Sequence, residues 1–446
     1  MAKIRPFKGT IYNKDVISDL KDVTTPPYDV ITPAEQDNFY KKSEHNVIRL
    51  ILGKKTDQDS SSDNRYTRSA TFLNDWLTSN ALIDEKDEAI YVYKQDYTLD
   101  DGTVMTRTGF IALTRLEDFS SGKILPHEKT LSGPRADRLR LMESCHSNFS
   151  QIFSLYSDKE LTVDNIMENA VSGNAPDMDV TDDAGITHRI FKVTDPEAIK
   201  SVVANMDDKR LFIADGHHRY ETALNFRNLN RKNGDMPEDS PYNFVMMYFA
   251  NMDSEGLVVF PTHRVLFNLQ DYQVDFLKSE ICKFFTVTGF PFSENNESEV
   301  LERFTKELEK AGETAHAFGM YIKGDTTFHL LVADCPEKFE SILSGDMSES
   351  LKGLDVTVLH SVLIDHLLGV GTAAQEKQQN LKYVKSSEKA IDLVKNDDFQ
   401  VAFLLNPTKV EQVKAVASAG EKMPQKSTFF YPKLLTGLVI NRLNTI

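Results

Sequence analysis

Cysteine is scarce in this sequence. Cys145, Cys282 and Cys335 are scattered through 446 residues, and no two form a Cys-x-x-Cys pair. A set so odd and so sparse argues against a disulfide framework and against a structural zinc site. Long apolar runs are missing as well: no stretch approaches the roughly 20 residues needed to cross a bilayer. The opening Met-Ala-Lys-Ile-Arg-Pro-Phe passes into strand-like sequence without a hydrophobic signal region, so the expected setting is the reducing cytoplasm, with no membrane partner. An excess of positive charge is also lacking. With 51 basic against 67 acidic side chains the formal charge is −16, which repels a nucleic-acid backbone and disfavours wholesale DNA or RNA binding. Internal repeats and a low-complexity tail are absent too.

What is present is an ordinary globular composition, 40% hydrophobic and 26% charged. The length exceeds one compact core and suggests two or three domains. Ile4–Tyr12 and Val47–Leu52 read as strands, Gly53–Arg65 as a loop and Arg68–Ser79 as a helix. Ala89–Leu99 and Thr103–Leu113 alternate about Asp100-Asp101-Gly102, a hairpin signal. His127–Cys145 is polar and ends in a helix. Leu211–Ala214 is a short apolar strand followed by a helix to about Asn228, and Tyr242–Ala250 is a buried strand. From Asp271 the pattern changes to a compact α+β unit. Beyond it, Asp355–Leu368 and Lys409–Ala419 read as helices, Gln400–Leu405 as a strand, and Leu438–Asn441 as a last strand.

The strongest chemical signal is Asp215-Gly216-His217-His218-Arg219, where the apolar strand stops and a helix begins within two residues. The first amides of a helix lack intrahelical acceptors, and the helix dipole favours negative charge there. Gly216 lets a ligand approach the backbone closely. His217, His218 and Arg219 add donors, and arginine can hold phosphate oxygens with two parallel bonds. Asp215 suits a bridging Mg²⁺ or the activation of a hydroxyl. In the plainer alternative Asp215 only caps the helix and the histidines are surface residues.

Other motifs are weaker. His127-Glu128-Lys129-Thr130 fails as a zinc-protease HExxH because the fifth position is Leu131. It still offers Glu128 as a general base, with Lys129 and Arg138 as anion binders, or else a salt-bridged surface loop. Gly420–Ser427 nearly fits GxxxxGK[ST], but Gln425 replaces the second glycine and Pro424 removes an amide. It is not a P-loop, although Lys426, Ser427 and Thr428 could reach a phosphate from a strand edge. His360 and His366, six positions apart, fall on different helix faces, which argues against a shared metal.

Asp-Gly-His-His-Arg-Tyr between strand and helix resembles the phosphate-binding turn of the ParB/sulfiredoxin-like superfamily. That group includes partition proteins, sulfiredoxin and free-serine kinases. Arg5-Pro6-Phe7, Pro26-Pro27-Tyr28-Asp29-Val30, His127-Glu128-Lys129-Thr130, Pro134 with Asp137-Arg138, and Met423–Thr428 resemble the family of domain of unknown function 1015. The resemblance spans almost the whole chain. It implies a site near the turn that also holds His127, Thr130, His263 and Arg264 as substrate-binding candidates. Where sulfiredoxin's turn has a catalytic cysteine this chain has His217, which removes that reaction.

The expected architecture is α+β: a ParB/sulfiredoxin-like nucleotide-binding core over residues 1–270, an inserted α+β unit over 271–345, and a C-terminal segment, 346–446, completing the core. The expected function is ATP- or ADP-dependent phosphorylation of a small hydroxyl metabolite, an amino acid or similar, with free L-serine foremost and Mg²⁺ as cofactor. Asp215 or Glu128 would take the hydroxyl proton, and self-association into a homo-oligomer is compatible. Two rivals are a nucleotide-binding regulatory module and a nucleotide hydrolase. The acidic charge and the lack of a helix-turn-helix pattern count against a DNA-binding form of the first.

Overall fold

A computed structural model describes residues 2–443 except 129, 131, 232–235, 334, 335, 344 and 346. Lys129 of the candidate site and Cys335 lie outside the described residues. The chain forms two compact units. Met1–Pro126, Thr130–Val258 and Pro432–Ile446 make the first; His127, Glu128 and Val259–Tyr431 make the second. Each mixes helices and strands, an α+β architecture.

In the first unit nine strands form one mixed sheet. They are β1 (Ile4–Arg5), β2 (Ile90–Thr98), β3 (Val104–Arg115), β4 (Ile124–Leu125), β5 (Ile152–Tyr156), β6 (Met178–Thr181), β7 (Thr187–Val193), β8 (Leu211–Asp215) and β9 (Phe244–Asn251). Their order is β4-β8-β5-β9-β3-β2-β7-β6, with β1 beside β3. β8 is parallel to β4 and β9 to β5; the other pairs are antiparallel. The hairpin expected about Asp100–Gly102 is β2–β3, and its tip needs Gly102 at φ +85°.

The two-residue period of the strands puts Leu211, Ile213, Val245, Met247 and Phe249 into one core. Helices cover them at spacings of three and four. These include α1 (Thr162–Val171) with Val163, Met167 and Val171, α2 (Pro196–Met206) with Val202 and Met206, and α3 (His217–Arg231) with Tyr220, Ala223 and Phe226. Proline at its first position and the Asp195 carboxylate, which accepts the Ala198 amide at 2.9 Å, set the start of α2.

The stretch Val47–Leu52 is not a strand. Ile48–Ile51 forms one helical turn, because the Asn46 side chain accepts the Ile48 amide at 2.9 Å and starts the turn. Val47, Leu50 and Ile51 then all bury in a second core with Leu73 and Trp76. Near the C-terminus the last strand is Asn441–Arg442, paired with Ser147–Asn148, and Ile440 before it forms an isolated bridge with Thr10.

The second unit is built on an antiparallel sheet of β10 (His263–Phe267), β11 (Thr286–Pro291), β12 (Ala317–Ile322), β13 (Thr327–Val332), β14 (Leu381–Val384) and β15 (Phe399–Leu405). The order β11-β13-β12-β15-β10-β14 explains why this unit is wider than 271–345. β15 lies between β12 and β10, so the chain before and after that stretch shares its sheet. Of residues 346–446, only Pro432–Ile446 belong with the first unit. Asp355–Leu368 is helical but winds as a π-helix over Leu359–Leu367. Among the described residues no helix is long and apolar enough to cross a membrane.

Candidate functional site

β8 and β5 pair in register through Phe212 and Ile213, and the register then shifts between Ile213 and Asp215. Such an irregularity re-aims the side chain at the strand's end, here Asp215. Gly216 follows at φ +94°, a backbone region that disfavours a side chain. The Tyr220 amide donates to the Gly216 carbonyl at 3.0 Å, closing the first turn of α3. A Cβ on Gly216 would lie 2.9 Å from Arg219 Nε, so the guanidinium folds back over the turn.

Two cations meet the Asp215 carboxylate. Lys433 Nζ lies 2.9 Å from Oδ2, and Arg219 Nη2 lies 3.9 Å from Oδ1. Arg219 Nη1 also donates to the Gln151 carbonyl at 2.5 Å. The segment that carries Lys433 is held by side chains rising from the sheet. Arg107 donates to Pro432 O at 2.6 Å, Gln95 to Lys433 O at 3.0 Å and Gln151 to Leu435 O at 3.1 Å. The Leu435 amide donates to Tyr93 Oη at 3.2 Å. His217 is buried and His218 half-buried at the start of the helix.

Arg219 lines a cavity of about 50 Å³ that Arg138 and Tyr28 line as well. Arg138 stands 4.0 Å from the Tyr28 ring centroid, bonds Asp137 and donates to Ile51 O at 2.7 Å. Asp137 also takes Arg65 and the Tyr66 hydroxyl, the latter at 2.7 Å. Burial works to raise the Asp137 pKa, but Arg138, Tyr66 and Arg65 outweigh it and hold the carboxyl below its usual range. Burial pushes the Tyr28 phenol up, with Arg138 and Arg219 opposing and Asp29 assisting. The charged residues lining this cavity are Arg138, which is paired with Asp137, and Arg219, which stands beside Asp215.

Thr130 is brought to the helix that follows the turn, where its hydroxyl donates to Glu221 Oε2 at 2.6 Å beside Arg135 at 2.9 Å. His127 and Glu128 belong to the second unit, with Lys426, Ser427 and Thr428. There His127 Nε2 and Thr428 Oγ1 are 3.0 Å apart, and Glu128 Oε1 accepts the Lys426 amide at 2.8 Å. Lys426 itself has φ +54°, and Ser427 Oγ donates to Pro424 O at 2.6 Å. His263 and Arg264 lie inside β10, both buried. The Leu405 amide donates to His263 Nδ1 at 3.2 Å, and burial, helped by Arg264, lowers that imidazole to about 4.

Among the described residues no group of three or more His, Cys, Asp or Glu side chains could hold a metal. Asp215 would therefore meet Mg²⁺ only as one ligand beside phosphate oxygens and water, a mode that ion accepts. Sequence reasoning missed Lys433, Gln151, Gln95 and Arg107. Nothing in the local sequence marks Lys433; a pairing over 218 positions leaves no periodic trace.

The chain belongs to the family described as protein of unknown function (DUF1015), whose model matches residues 4–357. Among solved structures it is similar to a conserved hypothetical protein from Pyrococcus furiosus at 13% identity and TM-score 0.34, covering 72% of this chain and 90% of that one. A free serine kinase in complex with AMP gives 13% identity and TM-score 0.34 over 72% and 86% of the two chains. SbnI with C-terminal truncation from Staphylococcus aureus gives 12% and 0.34 over 74% and 86%. No curated protein matches the chain.

Proposed function

We propose that the first unit is a ParB/sulfiredoxin-like core that binds the phosphates of ATP or ADP at Asp215–Arg219 and transfers the terminal phosphoryl group to a small hydroxyl metabolite, free L-serine foremost. The observation that carries this reading is the meeting of Arg219 and Arg138 at one cavity beside the Gly216 turn. An anion between two arginines can accept charge-assisted hydrogen bonds from both. Helix-start amides add oriented dipoles.

Phosphoryl transfer asks the protein mainly for positioning and charge neutralisation. Arg219 and Lys433 neutralise the phosphates, and Asp215 takes the proton of the attacking hydroxyl. The hydroxyl oxygen forms a bond to the terminal phosphorus as the bridging P–O bond breaks and its electrons leave with the nucleotide. Mg²⁺ bound to the nucleotide would add neutralisation at the same oxygens.

The test is incubation with ATP or ADP, Mg²⁺ and each free amino acid in turn, scored for phosphorylated product. An acceptor-dependent product, greatest with L-serine, is expected. Acceptor-independent phosphate would make the protein a hydrolase, and nucleotide binding without turnover would make it a regulatory module.

A further inference from the structure

Buried polar side chains line up on one face of the sheet in the first unit, where apolar ones would cost less. His188 on β7, Gln95 on β2 and Arg107 on β3 are paired in one row across three strands. Tyr93, two positions before Gln95, shares their face. None of the four is more than 1% exposed. Tyr93, Gln95 and Arg107 bond main-chain atoms of Leu435, Lys433 and Pro432, the segment that brings Lys433 to Asp215. His188 meets two of these side chains: its Nδ1 lies 2.7 Å from Tyr93 Oη and 3.3 Å from Gln95 Nε2.

Groups that can only donate or only accept fix the direction of each bond in this row. Arg107 can only donate, and it donates to Gln95 Oε1; the Lys433 carbonyl can only accept, and it accepts from Gln95 Nε2. The second hydrogen of Gln95 Nε2 then faces His188 Nδ1. The Leu435 amide can only donate, so Tyr93 Oη accepts it and sends its own hydrogen to His188 Nδ1. Two donors aimed at Nδ1 leave that nitrogen bare, and the imidazole proton sits on Nε2, 3.2 Å from Asp182 Oδ2. Burial lowers the pKa of His188 against the opposing pull of Asp182, which keeps the ring neutral at neutral pH.

Asp182 is itself fixed by the turn between β6 and β7. Its Oδ1 accepts the Ala184 amide at 2.9 Å and the Ile186 amide at 3.0 Å, and Gly185 takes φ +79°. Oδ2 is thereby left for His188. The other tautomer would set a bare nitrogen against that carboxylate and a hydrogen against two donors.

From this geometry we infer that His188 is a positioning residue that holds Lys433 at the Asp215 turn. Its bare Nδ1 takes the Tyr93 hydrogen and leaves Tyr93 Oη as the acceptor that the Leu435 amide needs. That bond fixes the chain two residues after Lys433, so the ammonium stays on Asp215. The consequence for catalysis rests on the nucleotide reading proposed above; the positioning itself does not.

The test is the rate at which acetic anhydride acetylates Lys433 in the full chain, read by mass spectrometry against the exposed Lys306, with ATP titration of the same proteins. His188→Leu removes the acceptor and Tyr93→Phe removes the hydroxyl. Each is expected to raise the Lys433 rate about three- to ten-fold, the worth of one neutral hydrogen bond, and to weaken ATP binding in proportion. His188→Asn puts an oxygen near the place of Nδ1 and is expected to change both by less than about two-fold. A role in packing alone predicts the reverse order, because a buried apolar site takes leucine better than asparagine. The inference is overturned if Lys433 is as protected in His188→Leu and Tyr93→Phe as in the parent, or if His188→Asn exposes it as much as His188→Leu does. Should the His188 variants fail to fold, the Lys433 rate in Tyr93→Phe decides alone. Faster acetylation with unchanged ATP affinity would support the positioning role and overturn the nucleotide role of Lys433, so the two failures are told apart.

Discussion

The Lys433 ammonium stands 2.9 Å from the Asp215 carboxylate, although 218 positions separate the two residues. The contact joins the end of β8 to the C-terminal segment, and both partners are largely shielded, with side chains 18% and 19% exposed. It turns a strand-to-helix corner into a charged site.

Replacing Lys433 with methionine keeps much of the stem and removes the charge. Nucleotide Kd is expected to rise roughly ten-fold or more, since hydrogen bonds to charged groups contribute about 1.5–3 kcal/mol. Isothermal titration with ATP measures it. An unchanged Kd with a lowered unfolding midpoint would make Lys433 a structural clamp only.

Arg219→Ala removes the guanidinium from the turn and from the Gln151 carbonyl. Weaker ATP binding of comparable size is expected, and lysine at this position should rescue it only in part because it cannot form two parallel bonds to phosphate. Tight binding by a folded Arg219→Ala protein sinks the phosphate assignment.

Asp215→Asn separates chemistry from capping. Asparagine caps helices about as well as aspartate, so a cap would tolerate the change. Loss of turnover by orders of magnitude with nearly unchanged stability is expected. Retained turnover in this variant would return Asp215 to a capping role.

Gly216→Ala forces a side chain onto a backbone at φ +94° and a Cβ to within 2.9 Å of Arg219 Nε. A destabilisation of about 1–3 kcal/mol is expected, together with displaced Arg219 and weakened nucleotide binding. Urea unfolding and ATP titration on the same preparation check both.

Acid should loosen the second unit before its carboxylates titrate. Burial, with Arg264 nearby, holds His263 at about 4 and His360 at about 3, below the usual 6.5 of histidine. In that window the unfolded chain binds protons that the folded chain refuses, so stability is full above about 6.5 and falls as pH drops towards the folded values. Each group adds at most about 1.4 kcal/mol per pH unit to the slope. Urea midpoints measured from neutral pH down to about 4.5 should decline, and His360→Gln should flatten the slope.

Much of the local structure was legible. The turn at Asp215–Arg219 could be read because an apolar strand, a glycine and a polar helix start are consecutive in the chain, and the β2–β3 hairpin because alternation and Asp-Gly are local signals. Val47–Leu52 misled, since a run with two isoleucines looks extended while its burial on several sides favours a helical turn. The extent of the second unit was hidden because sheet order does not follow chain order: β15 inserts between β12 and β10.

The sequence by itself determined the family, the mixed α and β character, and a strand-to-helix corner with a glycine and three potential cations in a row. Only the tertiary structure decided which charges meet. Lys433 reaches Asp215, Arg138 shares a cavity with Arg219, and Glu128 joins Lys426, because strand pairing and buried side-chain bonds bring together segments whose separation along the chain carries no periodic signal. Local propensity acts over a few residues, whereas these contacts depend on the packing of whole sheets.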